Sequence, residues 1–138
     1  CICRMMSSLT ADDLKAQVEE KHWVHSHDPA CGAGATLIAF ANECKDQGVN
    51  YQTSALFVAQ DIDRTAALMC YVQLSLLGCP GYVVVGDSIC NPVTGPMLFP
   101  QCREGQEIWY TPMFFSDVWV GRRRVEIMRL FFEKGESA

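Results

Sequence analysis

Two uninterrupted apolar runs constrain this chain most: Ala55-Leu56-Phe57-Val58-Ala59 and Tyr82-Val83-Val84-Val85. Each is too short for an ordinary helix and bounded by turn-forming or polar residues, the pattern of a strand buried on both faces of a parallel sheet. Between them Arg64 to Leu77 is apolar nearly all round (Ala66, Ala67, Met69, Cys70, Val72, Leu74, Leu76), and Gly78, Pro80 and Gly81 end it, which predicts a helix. Upstream, Trp23 to His27 alternates and stops at Asp28-Pro29, and Thr36 to about Gln47 reads as a helix closed by Gly48. The order is β-α-β-α-β, and each strand is followed by an acid: Asp28, Asp61 and Asp87. Such a chain is expected to form an α/β fold with right-handed crossovers and a ligand at the carboxyl ends of its strands.

The first strand–helix junction carries Asp28-Pro29-Ala30-Cys31-Gly32-Ala33-Gly34. Two glycines two apart let backbone approach a ligand that a Cβ would repel, at a helix start where amide groups and the dipole face outward. The acids narrow the ligand. A carboxylate after the second strand of a Rossmann-like sheet holds ribose hydroxyls. One after the third can accept from an exocyclic amine, and Asp28 at the lip of the turn suits an ammonium. Ribose, an amino-bearing base and a zwitterionic amino-acid end describe S-adenosylmethionine better than a dinucleotide. The turn also lacks the third glycine of the dinucleotide fingerprint. A nucleotide-sugar or NAD site is the competing reading.

The rest of the chain is less constrained. Met5 to Lys21 reads as a helix with Thr10 or Asp12 as cap, Gly48 to Thr53 as a polar loop, and Asn91 to Pro100 as a proline-rich loop. Glu107 to Tyr110 is expected to be a fourth strand, and a helix is expected from about Gly121 onward. His22, His25 and His27 lack the acidic or cysteine partner of a metal site and read as strand-packing or solvent-edge residues; no metal is expected. Arg122, Arg123, Arg124 and Arg129 read as a solvated helix face. The chain has 138 residues, 49% hydrophobic and 20% charged, which is one domain with an ordinary core; its net charge of −5 speaks against nucleic-acid binding over the whole surface. Its eight cysteines, with no C-x-x-C spacing, read as reduced thiols in a cytoplasmic protein. No apolar run is long enough for a membrane span. Starting at Cys1 in an apolar segment, the chain reads as a fragment.

Three segments in order carry a resemblance to a known family. Asp28-Pro29-Ala30-Cys31-Gly32-Ala33-Gly34 resembles the cofactor-binding motif of the N-6 adenine DNA methylases, especially the modification subunits of type I restriction systems. Ala59-Gln60-Asp61-Ile62-Asp63 is similar to their Gly-Gln-Glu-x-(Asn/Asp) motif, and Gly86-Asp87-Ser88-Ile89 to their Gly-Asp-Thr-Leu motif. The resemblance covers about residues 23–90, the cofactor-binding half of a single methyltransferase-like domain spanning 1–138. It implies a Rossmann-like S-adenosylmethionine-dependent methyltransferase fold: a mostly parallel sheet with flanking helices, incomplete here, with the segment Ile2 to Leu9 following an upstream cofactor motif. It further implies that Asp28, Cys31, Gly32 and Gly34 line the methionine end and that Asp61 holds the ribose. Ile62 then packs on the adenine, and Asp87, followed by Ser88, accepts from its amino group. The implied activity is methyl transfer to adenine N6 in DNA, with DNA as substrate, a restriction–modification specificity subunit or a second copy of the chain as candidate partners, and no membrane.

Transfer in that family depends on (Asp/Asn/Ser)-Pro-Pro-(Tyr/Phe), whose carbonyls orient the target amine while the ring stacks on a flipped base. Asn91-Pro92-Val93 has the right first residues but follows Asp87 too soon to close a fourth strand. Thr111-Pro112-Met113-Phe114 follows a strand-like run at a family-like distance, so Thr111, Pro112 and Phe114 are the expected catalytic residues. Thr replaces the amide or acid, and Met the second proline. The alternatives are an ordinary strand-end turn with Phe114 and Phe115 in the core, and a cofactor-binding module without turnover.

Overall fold

The computed structural model describes residues 14–136. The first part of the expected Met5–Lys21 helix, with Thr10 and Asp12, lies outside them, as do Cys1, Cys3 and the segment Ile2 to Leu9. The described chain runs α1 (Leu14–Lys21), β1 (Val24–Asp28), α2 (Ala35–Asp46), a one-turn helix α3 (Tyr51–Ser54), β2 (Ala55–Asp61), α4 (Arg64–Leu76), β3 (Gly81–Val85), β4 (Glu107–Tyr110), a 3-10 turn (Pro112–Phe115) and α5 (Asp117–Glu136). The expected β-α-β-α-β core is present. Two boundaries differ from expectation. Asn50 accepts the Gln52 amide hydrogen at 3.1 Å and so caps α3 where a loop is expected, and α5 starts four residues before Gly121.

The sheet has the order β1-β2-β3-β4, with β1, β2 and β3 parallel. Alternation along β2 explains its unbroken apolar run. Ala55, Phe57 and Ala59 face one core, with Leu37, Phe40 and Cys44 of α2 and Ala67, Cys70 and Leu74 of α4. Leu56 and Val58 face a second core, with Tyr82, Val84, Leu98, Phe114 and Trp119. Full burial of side chains such as Leu37, Leu56, Phe57 and Leu74 contributes about 1.5–3 kcal/mol each, so both faces of β2 are pinned.

The fourth strand runs antiparallel to β3, pairing Val85 with Glu107 and Tyr82 with Tyr110. No helix intervenes between β3 and β4. A parallel return would need such a crossover, whereas an antiparallel partner needs only a loop. The end of β4 therefore lies beside the start of β3.

Beyond the turn, Trp119 is fully buried and donates its indole N–H to the Gln52 carbonyl at 2.9 Å. Arg122 donates to the Thr53 carbonyl at 2.6 Å and lies 5.2 Å from the Trp119 ring. Arg123 donates to the Phe114 carbonyl at 2.7 Å, 4.3 Å above the Phe114 ring. These two arginines clamp α5 to α3 and to the 3-10 turn rather than form a solvated face, and the desolvation lowers both their pKa values. Arg129 pairs with Glu126 and Glu133 on the surface.

Candidate cofactor site

The turn after β1 is built by local bonds to its neighbours. Asp28 Oδ1 accepts the Ala30 amide hydrogen at 3.0 Å, a side-chain turn of the kind aspartate favours before proline. The Cys31 amide donates to the Gln60 carbonyl at 3.0 Å, and the Gly32 amide to Asp61 Oδ2 at 2.8 Å. Gly34 opens α2 in the left-handed region at φ 97°, and a Cβ there would sit 3.0 Å from Cys70 Sγ on α4. Glycine is required at that position by both conformation and space.

The other two strand ends meet this turn. Asp61 Oδ1 also accepts the Asp63 amide hydrogen at 2.8 Å, and its carbonyl accepts the Gly86 amide hydrogen at 2.9 Å. Asp61 thus joins all three strand ends. Asp63 caps α4 through the Thr65 amide at 2.9 Å. Asp87 Oδ1 accepts from the amides of Ile89 (2.9 Å) and Cys90 (3.3 Å), and these bonds to the ionised form hold its carboxyl below the usual carboxylate value.

A cavity of about 330 Å³ opens here, lined by Pro29, Ala30, Asp61, Ile62, Asp87, Ser88 and Ile89. That volume lies at the small end of the range of small-molecule sites, about 300–1,000 Å³. Of the expected cofactor residues, Asp61, Ile62, Asp87 and Ser88 line it. Asp28, Cys31, Gly32 and Gly34 do not; they shape the turn that carries Pro29 and Ala30 into it. The Cys31 side chain is buried. Its hydrogen bond to Cys70, its burial and the nearby Asp61 and Asp28 carboxylates push its pKa up, so the thiol is a neutral packing group. Ile62 and Ile89 are 71% and 89% exposed, leaving two apolar side chains at the mouth. Ile89 carries a sequence signal as the last residue of the Gly86-Asp87-Ser88-Ile89 segment, at the position of the family's leucine.

The lining carries two carboxylates and no cation. Arg64, at the start of α4, is engaged with Glu107 at 3.2 Å. The Gly32 amide, which an anion at the turn would use, is already taken by Asp61. A phosphate placed between these two carboxylates would be repelled by both. A cationic sulfonium or ammonium would gain by the same interaction. The lining therefore disfavours a phosphate between Asp61 and Asp87.

Thr111, Pro112 and Phe114, the expected catalytic residues, are not brought to this cavity. Because β4 is antiparallel, Thr111 lies at the start of β3, and the five residues Gly81–Val85 separate it from the Asp87 end by about 13 Å at the usual rise per residue. Thr111 is fully buried; its hydroxyl donates to the Cys79 carbonyl at 2.7 Å and accepts the Gly81 amide hydrogen at 3.0 Å. Pro112 opens the 3-10 turn. Phe114 packs on Tyr82 and Tyr110, ring centres 5.9 Å and 5.1 Å away. The three form a structural corner. Asn91-Pro92 is on the carboxyl side, where the Asn91 carbonyl accepts from Gln60 and Gln106 and its side-chain amide donates to the Glu104 carbonyl at 3.1 Å.

His25 and His27 occupy alternate positions on β1 and are exposed at their rims; burial lowers both pKa values, with Lys21 adding to the effect at His25. Among the described residues no three His, Cys, Asp or Glu side chains gather as a metal site, and no helix is long and apolar enough to cross a membrane. No family model, curated protein or solved structure matches the chain.

Proposed function

We propose that the carboxyl end of this sheet binds S-adenosylmethionine and that the chain is the cofactor-binding part of an adenine N6 DNA methyltransferase. One observation carries the first half: the cavity between three strand ends is lined by Asp61 and Asp87 with no cation, flanked by exposed Ile62 and Ile89. In this reading Asp87 accepts from the adenine amine, the isoleucines cover the faces of the base, and Asp61 reaches the ribose. Each carboxylate oxygen has two lone pairs, so the backbone bonds on Asp61 leave acceptor capacity for hydroxyls. Asp28 lies on the turn toward the methionine end. DNA as acceptor rests on the resemblance of the three motifs alone.

The position of Thr111 favours a second reading, binding without turnover by these residues. Its hydroxyl is spent on Cys79 and Gly81, and nothing on that corner reaches the cavity. Calorimetric titration with S-adenosylhomocysteine tests the binding. Asp61→Ala and Asp87→Ala are each expected to weaken it tenfold or more, about 1.4 kcal/mol. Undiminished binding in both variants refutes the assignment. Transfer of labelled methyl groups to DNA separates the two readings: measurable transfer supports the enzyme, and binding without transfer the module.

A further inference from the structure

The cavity wall formed by Asp87, Ser88 and Ile89 belongs to a segment that leaves β3 and has no regular structure until β4. Two glutamines hold it. Gln60, fully buried on β2, donates its side-chain amide to the Asn91 carbonyl at 2.9 Å and accepts the Val93 amide hydrogen on Oε1 at 3.1 Å. Gln106, 9% exposed and immediately before β4, donates to the same Asn91 carbonyl at 2.7 Å and accepts the Arg103 amide hydrogen at 3.0 Å. One carbonyl thus uses both lone pairs on donors from two separate elements. The Asn91 amide returns to the Asp87 carbonyl at 2.7 Å, which closes the turn on itself. Gly86 leaves room for the arrangement, since a Cβ there would lie 3.2 Å from Gln106 Cγ and 3.4 Å from Gln60 Nε2.

We propose that Gln60 and Gln106 are positioning residues. By closing on the Asn91 carbonyl from two sides they fix the Asp87–Asn91 turn, and with it the carboxylate and the isoleucine that form one wall of the cavity. Neither glutamine lines the cavity itself. A buried polar side chain bonded at both its oxygen and its nitrogen specifies one arrangement of the backbone around it, whereas an apolar contact would allow the turn to slide. The cofactor half of this inference rests on the proposed function; the ordering of the turn does not.

Two variants and two readouts test it. Gln106→Leu removes one of the donors, and Gly86→Ala adds a methyl group against both glutamines while deleting no hydrogen-bonding group. In ligand-free protein the backbone order parameters of Ser88, Ile89 and Cys90 are expected to fall from about 0.85 to below about 0.6 in both variants, while those of Phe57 and Val58 stay rigid. The Asp87 carboxyl, followed by its side-chain carbon shift, is expected to titrate closer to an ordinary aspartate as its bonds to Ile89 and Cys90 loosen. Unchanged order parameters and an unchanged Asp87 titration overturn the proposal, whatever the ligand does. Where the parent binds S-adenosylhomocysteine, Gln106→Leu is expected to weaken binding about tenfold, and Asp87→Ala made in that background to cost less than it does in the parent. Equal affinity of parent and variant overturns the positioning role. A parent that does not bind refutes the cofactor reading, and the order parameters still decide whether the glutamines hold the turn.

Discussion

Replacing Thr111 by valine exchanges one hydroxyl for a methyl group at a position with no exposure to solvent. The hydroxyl serves two backbone groups, as donor to the Cys79 carbonyl at 2.7 Å and acceptor of the Gly81 amide hydrogen at 3.0 Å. Valine would leave that amide buried without this acceptor, a penalty of about 1–3 kcal/mol, and would lose the bond to Cys79, another 0.5–1.5 kcal/mol or roughly that. The expected destabilisation is about 2–4 kcal/mol. With an unfolding entropy of about 2.1 cal/mol/K per residue, this corresponds to a fall in Tm of roughly 7–14 °C for a chain of this length. Thr111→Ser keeps the hydroxyl and loses one methyl group, so its cost is expected near 0.8 kcal/mol, about one buried carbon. Urea unfolding followed by tryptophan fluorescence measures both, since Trp119 lies in the core next to this corner. S-adenosylhomocysteine affinity measured on folded Thr111→Val is expected to match the parent. A valine variant as stable as the parent, or one that folds normally and loses methyl transfer, would refute the assignment of Thr111 to structure.

Gly34→Ala is expected to cost about 1–3 kcal/mol, because alanine at φ 97° is strained and its methyl would meet Cys70 Sγ at 3.0 Å. Gly32→Ala, at φ 52° with open space around it, is expected to show only the conformational part, about 1 kcal/mol; equal losses in urea unfolding would refute the role of the Cys70 contact. His25 and His27 have folded pKa values below their unfolded value of 6.5, through burial at both, reinforced by Lys21 at His25 and opposed by Asp28 at His27. The unfolded chain therefore takes up protons first. Stability is expected to be full above pH 6.5 and to fall as the pH drops from there toward the folded pKa values, and a His25→Gln/His27→Gln variant should flatten that slope.

The apolar runs at Ala55 and Tyr82 carry their own evidence for burial on both faces, and the structure buries them that way. The three strand-end acids were equally legible, since their positions follow directly from the strands. The direction of β4 was not. Glu107-Ile108-Trp109-Tyr110 has a strand's residues, but a four-residue run carries no polarity. The useful signal lay upstream, where Asn91 to Pro100 is too rich in proline and glycine to form the helix that a parallel return requires. With β4 antiparallel, Thr111 falls at the opposite end of β3 from Asp87. Cys31 shows a finer limit. Its place in the glycine turn was plain from sequence, but whether its thiol faced ligand or core depended on Cys70, which lies on α4. Gln60 sat inside a recognised motif and Gln106 outside any, and only their meeting at the Asn91 carbonyl gives either one a task.

The cysteines divide into two populations that report on the integrity of the fold. Cys31, Cys44, Cys70 and Cys79 are buried free thiols around the α2–α4 core, while Cys90 and Cys102 are exposed. Burial, with Glu43 at Cys44 and with Cys44 and Cys70 at Cys79, lifts the pKa values of Cys44 and Cys79 to about 12 and suppresses the reactive thiolate as well as access to it. An alkylating pulse therefore marks two of these six sulfurs while the domain is closed and reaches the other four only when the structure around them opens. The molecule carries a chemical clock for its own opening, read by mass with no label added beforehand.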